Sequence, residues 1–188
     1  MKLRENKPAL LLIDLQKGFE DETYWGGNRN NKDTEEKAAQ ILSKWRSLSL
    51  PVFHIIHSSQ DPNSLLHQSH AGFEICDQVK PIAGEPLIIK NVNSGFIGTN
   101  LKEQLDNKGI THLVIIGLTT NHCISTTTRM AGNYGYNTIV LEDATATFDR
   151  IGLHGEKYDS EIIHQISLSN LKGEFATIMN TTQLLKSI

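Results

Sequence analysis

Short apolar runs alternate along the chain with longer segments whose apolar residues recur every three or four positions. The runs are Ala9–Leu15 (ALLLIDL), Pro51–His57 (PVFHIIH), Glu85–Lys90 (EPLIIK), Thr111–Gly117 (THLVIIG), Asn137–Asp143 (NTIVLED) and Glu174–Met179 (EFATIM). Such short, nearly continuous apolar stretches predict strands covered on both faces. Between them, Ala38, Ile41, Leu42, Trp45 and Leu48 keep helical spacing behind Asp33, with Glu36 three residues on, as in a capping box. Thr99 is placed to cap a helix that carries Leu101 and Leu105 and ends at Gly109. A further helix follows Gly117 and runs to about Tyr134, with Gly135 just beyond it. Ile162, Ile163, Ile166 and Leu171 mark a last long helix that stops at Gly173. Strands alternating with helices predict an α/β fold, a mostly parallel sheet between helical layers. No repeat, low-complexity tract or linker interrupts the pattern, so residues 1–188 read as one domain.

Composition narrows the class. Hydrophobic residues make up 38% and charged residues 21%, and the formal net charge is -3 without a Lys/Arg block. A nucleic-acid or anionic-membrane partner is therefore not expected. The N-terminal apolar run is too short for a signal peptide and leads directly into Asp14. Two cysteines, Cys76 and Cys123, make no disulfide framework, and a cytoplasmic location is the expectation.

In parallel α/β sheets, reactive groups collect at the carboxyl ends of strands. The first run contains Asp14 near its end, the third ends at Lys90, and a five-residue turn after the fourth leads to Cys123, at the start of a helix. Singly, each has an ordinary reading: a strand-end aspartate, a surface lysine, a small buried thiol. Together they place an acid, a base and a thiol on one edge of the sheet. A thiol attacks as the thiolate, which a helix N-terminus and a nearby ammonium favour. An aspartate can take the thiol proton and return it to a leaving amine. Amides at the turn can hold an oxyanion.

The segments Leu11–Phe19 (LLIDLQKGF), Lys90–Leu101 (KNVNSGFIGTNL), Gly117–Tyr136 (GLTTNHCISTTTRMAGNYGY) and Val140–Asp149 (VLEDATATFD) resemble, in order and spacing, the isochorismatase-like cysteine hydrolases, which include nicotinamidases and N-carbamoylsarcosine amidohydrolases. The resemblance implies a three-layer α/β/α fold with a six-stranded parallel sheet in the order 3-2-1-4-5-6. It implies a catalytic triad of Asp14, Lys90 and Cys123, a cis peptide between Leu118 and Thr119, and an oxyanion hole made by the Thr119 and Cys123 amides. It also implies a homo-oligomer acting on a small molecule.

Nicotinamidases carry a metal site built on Asp-x-His. Here Asn63 stands where the first histidine would be, two residues after Asp61, so no metal and no other cofactor is expected. Vinyl-ether isochorismatases lack the cysteine. Metal-free hydrolysis of an amide or N-carbamoyl bond is the activity this leaves.

Gln16, Phe19, Trp25, Phe96 and His122 stand beside the triad motifs as candidates to line the substrate pocket; packing under the loops is the other reading for the aromatics. His54 and His57 point to opposite faces of their strand, whereas His67 and His70 read as solvated loop residues. Two other functional classes compete. Asn93–Leu101 looks like the end of a dinucleotide-binding fingerprint, which would make the chain an oxidoreductase, but its first glycine would fall at Val92 and no ribose-binding acid ends the next strand. A catalytically silent binding protein could keep the same fold.

Overall fold

The computed structural model describes residues 3–188. Six strands form one parallel sheet: β1 (Ala9–Ile13), β2 (Val52–His57), β3 (Leu87–Lys90), β4 (His112–Leu118), β5 (Asn137–Ala146) and, last in the chain, β8 (Thr177–Met179), in the order β3-β2-β1-β4-β5-β8. This is the expected 3-2-1-4-5-6 arrangement. Two short strands not anticipated from the sequence, β6 (Arg150–Ile151) and β7 (Lys157–Tyr158), pair as a separate antiparallel hairpin.

Alternation along the strands makes two cores. Leu10, Leu12, Val114, Ile116 and Leu141 face one layer, where they meet Ala38, Ile41, Leu42 and Trp45 of α2 (Thr34–Ser47) and Leu184 of α6 (Thr181–Ser187). Leu11, Ile13, Phe53, Ile55, Ile115 and Val140 face the other, against Leu101 and Leu105 of α3 (Leu101–Asn107), Ala131 of α4 (Ser125–Asn133) and Leu168 of α5 (Ser160–Ser169). Successive side chains on a strand point to opposite faces, so a continuous apolar run feeds both layers. A short first helix, α1 (Glu22–Trp25), lies in the loop after β1. No helix among the described residues is long and apolar enough to cross a membrane.

Several local expectations change. Asp33 does not cap α2; its carboxylate pairs instead with Lys37, 3.1 Å away, and the capping box is not formed. Asn100, not Thr99, occupies the N-cap position of α3, while the Thr99 hydroxyl donates to the Gly95 carbonyl at 2.6 Å. β3 lies at the sheet edge and is covered on one face only, with Leu87 and Ile89 exposed. Helix α5 buries Ser160, His164 and Leu168, whereas Ile162 and Ile166 face outward, so its apolar residues misstated its inner face. The C-terminal helix α6 was not anticipated; Asn180 and Gln183 form its capping box.

At the amino ends of β2 and β3, His54 Nε2 lies 2.8 Å from Glu85 Oε2, and Arg46 Nε reaches Glu85 Oε1 at 2.7 Å. Burial works to raise the Glu85 pKa, but the bonds from Arg46, His54 and the Ile82 amide outweigh it and bring it down to about 2. Burial holds His54 below its ordinary value. A depressed carboxylate stabilises the fold above its unfolded pKa, and that contribution is lost as pH falls through the folded value. Glu85→Gln should therefore cost about 1.5–3 kcal/mol near pH 7. The difference from wild type should narrow as pH falls from about 4.5 toward 2. Urea denaturation across that range checks it; a gap that stays constant would show that the charge on Glu85 contributes nothing.

Candidate active site

The three strand-end residues converge. Asp14 follows β1 in a left-handed conformation (φ 53°) that its short polar side chain tolerates better than most, and its amide donates to Ile55 O at 2.8 Å. Lys90 is the last residue of β3, and both side chains are fully buried. Cys123 lies in a wide π-helical turn, Thr120–Ile124, between β4 and α4. The Lys90 ammonium donates to Asp14 Oδ2 at 2.8 Å, to Cys123 Sγ at 3.2 Å, and lies 3.2 Å from His57 Nδ1. Three N–H bonds thus meet three acceptors, which assigns the His57 proton to Nε2.

The second carboxylate oxygen, Asp14 Oδ1, is buried without a partner. Burial lowers the Lys90 pKa, but the Asp14 carboxylate leads the contacts that more than compensate, and the net shift is upward. Cys123 also moves up, because burial and then the Asp14 carboxylate outweigh the ammonium. Burial and the adjacent carboxylate thus favour the neutral thiol beside the carboxylate–ammonium pair, against the pull of the lysine toward the thiolate.

Gly117 makes the approach to this turn possible. Its φ is +123°, and a Cβ there would lie 1.9 Å from Ile13 O, on the neighbouring strand that leads to Asp14. The Leu118–Thr119 peptide that follows is cis. The Thr119 carbonyl accepts from the amides of His122 and Ile124 and so closes the turn. A cavity of about 210 Å³ opens above Cys123, and Asp14, Phe19, Trp25, Thr119 and His122 line it. At roughly 30 Å³ per water it has room for about seven waters, the scale of a small metabolite.

The sequence matches the family model described as an isochorismatase domain over residues 8–183. An uncharacterised isochorismatase family protein, YrdC of Bacillus subtilis (strain 168), is 49% identical over 96% of each chain. The chain belongs to the isochorismatase family. A crystal structure of a hydrolase assigned to this family, from Chromobacterium violaceum, superposes with a TM-score of 0.94 at 37% identity, covering 100% of this chain and 96% of that one. The family also reaches Nicotinamidase 3 of Arabidopsis thaliana, which is 28% identical over 96% of this chain and 88% of its own length.

Two pocket expectations fail in this isochorismatase-family chain. Gln16 does not line the cavity. Its amide is buried against the end of β2, donating to His57 O at 3.1 Å and Phe73 O at 2.9 Å while accepting from His57 N at 2.9 Å. Phe96 turns away into the α3–α4 layer, where its ring packs 5.3 Å from Tyr134 and 6.1 Å from Tyr136. Nearness in sequence to a motif did not fix which way either side chain points. In the Asn93–Leu101 segment, Gly95 N donates to Thr127 Oγ1 at 3.0 Å and Phe96 N to Ser94 Oγ at 3.2 Å, which ties these amides into the fold.

The cavity also contains residues that sequence reading passed over: His57, Ser59, Ser64, Leu66, Asn93 and Arg150. His57 was within reach, since it ends β2 in register with Lys90 and the strand-end rule selects it as readily as its neighbours. Arg150, on the hairpin after β5, carried no such signal.

The metal question is one of donors. Asp61 accepts from the amide and side chain of Asn63 in its own turn, His67 Nδ1 bonds to Ser69 Oγ, and His70 Nε2 to the Pro62 carbonyl, so each of these loop groups is engaged locally. Among the described residues, Asp14, His57 and Cys123 do converge, with ligand atoms within 4.8 Å of one another. The Lys90 ammonium already bonds to all three, and a dication beside it would meet like charge.

Removing one member of a buried ion pair typically costs about 3–5 kcal/mol, because the other charge is left uncompensated. Lys90→Met should destabilise the fold by that order, and adding Asp14→Asn should restore most of the loss. A urea-denaturation double-mutant cycle measures the coupling; simple additivity would mean that the two groups are not energetically paired.

Proposed function

We propose that this chain is a metal-independent cysteine hydrolase that cleaves the C–N bond of a small amide or N-carbamoyl compound through a thioester on Cys123. The observation that carries the reading is one ammonium bonded to both Asp14 and Cys123, with Asp14 Oδ1 left free at the foot of a cavity. A buried carboxylate oxygen without a partner is costly unless it has something to accept. The thiol of Cys123, which at rest donates weakly to Asn93 Oδ1 at 3.8 Å, is the nearby group that can supply that proton.

The steps follow from the residues present. On substrate binding, Asp14 takes the Sγ proton while Lys90 stabilises the thiolate that forms, and the sulfur attacks the carbonyl carbon. Keeping the resting thiol neutral avoids burying a second anion beside Asp14. The Thr119 and Cys123 amides hold the developing oxyanion, and loss of one such donor typically costs about 10²–10³ in rate. Asp14 then passes the proton to the departing nitrogen, the C–N bond breaks, and ammonia or an amine leaves an acyl- or carbamoyl-thioester. Water attacks that thioester with Asp14 again as base, which releases the acid and restores the thiol. The aromatic pair Phe19 and Trp25, ring centroids 4.6 Å apart, forms an apolar wall of the cavity.

A relative named a nicotinamidase supports cleavage of a C–N bond, and loop histidines engaged in local bonds, with Asn63 in place of a histidine, support doing it without a metal. Screening small primary amides and N-carbamoyl compounds for ammonia release should find at least one substrate. Cys123→Ala should abolish that release, and exhaustive EDTA treatment should leave it unchanged. Since groups that act as a unit are strongly non-additive, Asp14→Asn combined with Cys123→Ala should be no worse than Cys123→Ala alone. Turnover that survives loss of the thiol, or that chelation removes and added metal restores, would overturn the reading.

A further inference from the structure

A histidine is sealed into the layer behind the turn that carries the nucleophile. His164 sits on the inner face of α5, with Ser160 one turn before it and Leu168 one turn after, and is 1% exposed. Its Nδ1 lies 2.9 Å from the hydroxyl of Thr120, the first residue of the π-helical turn Thr120–Ile124, and Thr120 is fully buried as well. The backbone carbonyl of Glu142 also acts on the ring. Burial holds the His164 pKa below its ordinary value, against the pull of Glu161 and that carbonyl, so the ring is neutral near pH 7. A neutral imidazole has one donor and one acceptor. A carbonyl only accepts, so the ring proton belongs to Nε2 and the Thr120 hydroxyl donates to Nδ1.

Packing alone does not call for this pair. The inner face of a helix is ordinarily apolar, and a buried imidazole costs desolvation unless it is bonded. Two apolar side chains of similar shape would fill the same space at little cost to stability. They would not fix the direction of the turn. Thr120–Ile124 has no side-chain cap at its start. It is held from outside instead: Thr120 by His164 of α5, Asn121 by the Thr147 hydroxyl after β5 at 2.6 Å, and Cys123 by Lys90 of β3 at 3.2 Å. The His164 anchor is itself fixed, since the Ser160 amide donates to Asp149 Oδ1 at 2.8 Å and Leu168 is buried in the core.

Thr120 directly follows Thr119, whose amide is one of the two donors assigned above to the oxyanion, and the Thr119 carbonyl closes the turn on the His122 and Ile124 amides. We propose that His164 is a positioning residue: through its bond to Thr120 it aims the Thr119 and Cys123 amides at the oxygen of the tetrahedral intermediate. This deepens the hydrolase reading and rests on its oxyanion hole. His164 does not line the cavity, so it acts only through the turn. Its loss misdirects the donors without removing them, and a misplacement of about 1 Å can cost about 100-fold in rate. The reaction that suffers is addition to a carbonyl, where an oxygen gains charge. Substitution at a saturated carbon makes no such demand.

Two reactions of Cys123 separate the two demands. With butanal, the sulfur bonds to the aldehyde carbon, the C=O electron pair moves to oxygen, and the thiol proton ends there, giving a thiohemiacetal whose oxygen occupies the hole. With iodoacetamide, the sulfur displaces iodide from a saturated carbon. NMR of isotope-labelled butanal gives the Kd of the adduct, and mass spectrometry gives the rate of alkylation. At position 164, asparagine keeps an acceptor where Nδ1 stands, whereas glutamine keeps only a donor where Nε2 stands. His164→Gln and Thr120→Val should each weaken the adduct about 10-fold or more while changing alkylation by less than about 2-fold. His164→Asn and Thr120→Ser should retain most of the wild-type affinity. Combining His164→Gln with Thr120→Val should be no worse than either alone. His164→Leu with Thr120→Val removes both polar groups; it should keep the urea midpoint near wild type and still bind butanal weakly. Equal losses in the two reactions, unchanged butanal affinity in His164→Gln, or no adduct in the wild type overturns the proposal. An adduct that depends on His164, with no ammonia release from any amide or N-carbamoyl compound, would instead refute the hydrolase reading and leave the positioning role standing. Ammonia release whose kcat is untouched by His164→Gln would do the reverse.

Discussion

The ammonium of Lys90 is the point on which the rest of the site depends. A cation with both its side chain and that of its partner sealed from water is tolerable only if its charge and all its protons are matched. Here it is matched by Asp14 from the end of β1, His57 from the end of β2 and Cys123 from the turn after β4. Four consecutive positions across the sheet must therefore end level with one another. The strand registers do this: Ile13 lies opposite both Ile55 and Gly117, and His57 lies opposite Lys90. The strand order β3-β2-β1-β4 is thus a chemical requirement as well as a packing solution. A one-residue slip would reverse the face of every side chain on the displaced strand and break the ion pair.

That constraint sets the protonation of the thiol. In an open site, a lysine beside a cysteine would favour the thiolate. Here the same lysine is held by an aspartate, and burial penalises any further charge. Cys76, the other cysteine, is buried without such a partner and pushed up to about 12.

Much of this was legible in the sequence because the central strands β1, β2 and β4 are buried on both faces. Runs such as Leu10–Ile13 read as central strands, and the carboxyl ends of such runs, with the family resemblance, point to Asp14, Lys90 and Cys123. What escaped was decided by contacts distant in sequence. Gln16 and Phe96 flank the motifs but follow their own packing partners, the end of β2 and two tyrosines. The inner face of α5 is small and polar, with Ser160 and His164 hydrogen-bonded in the interior, so hydrophobic spacing pointed to the wrong side. Arg150 carries no local pattern at all, since an arginine after a strand is usually solvated.

The central claim is that the buried Asp14–Lys90 pair keeps Cys123 protonated at rest. Thiolate absorbance near 240 nm, taken as the difference between wild type and Cys123→Ser across a pH titration, measures this directly. The account predicts no thiolate signal from Cys123 at neutral pH and its appearance only above the ordinary thiol range. A full thiolate signal already present at pH 7 would contradict it.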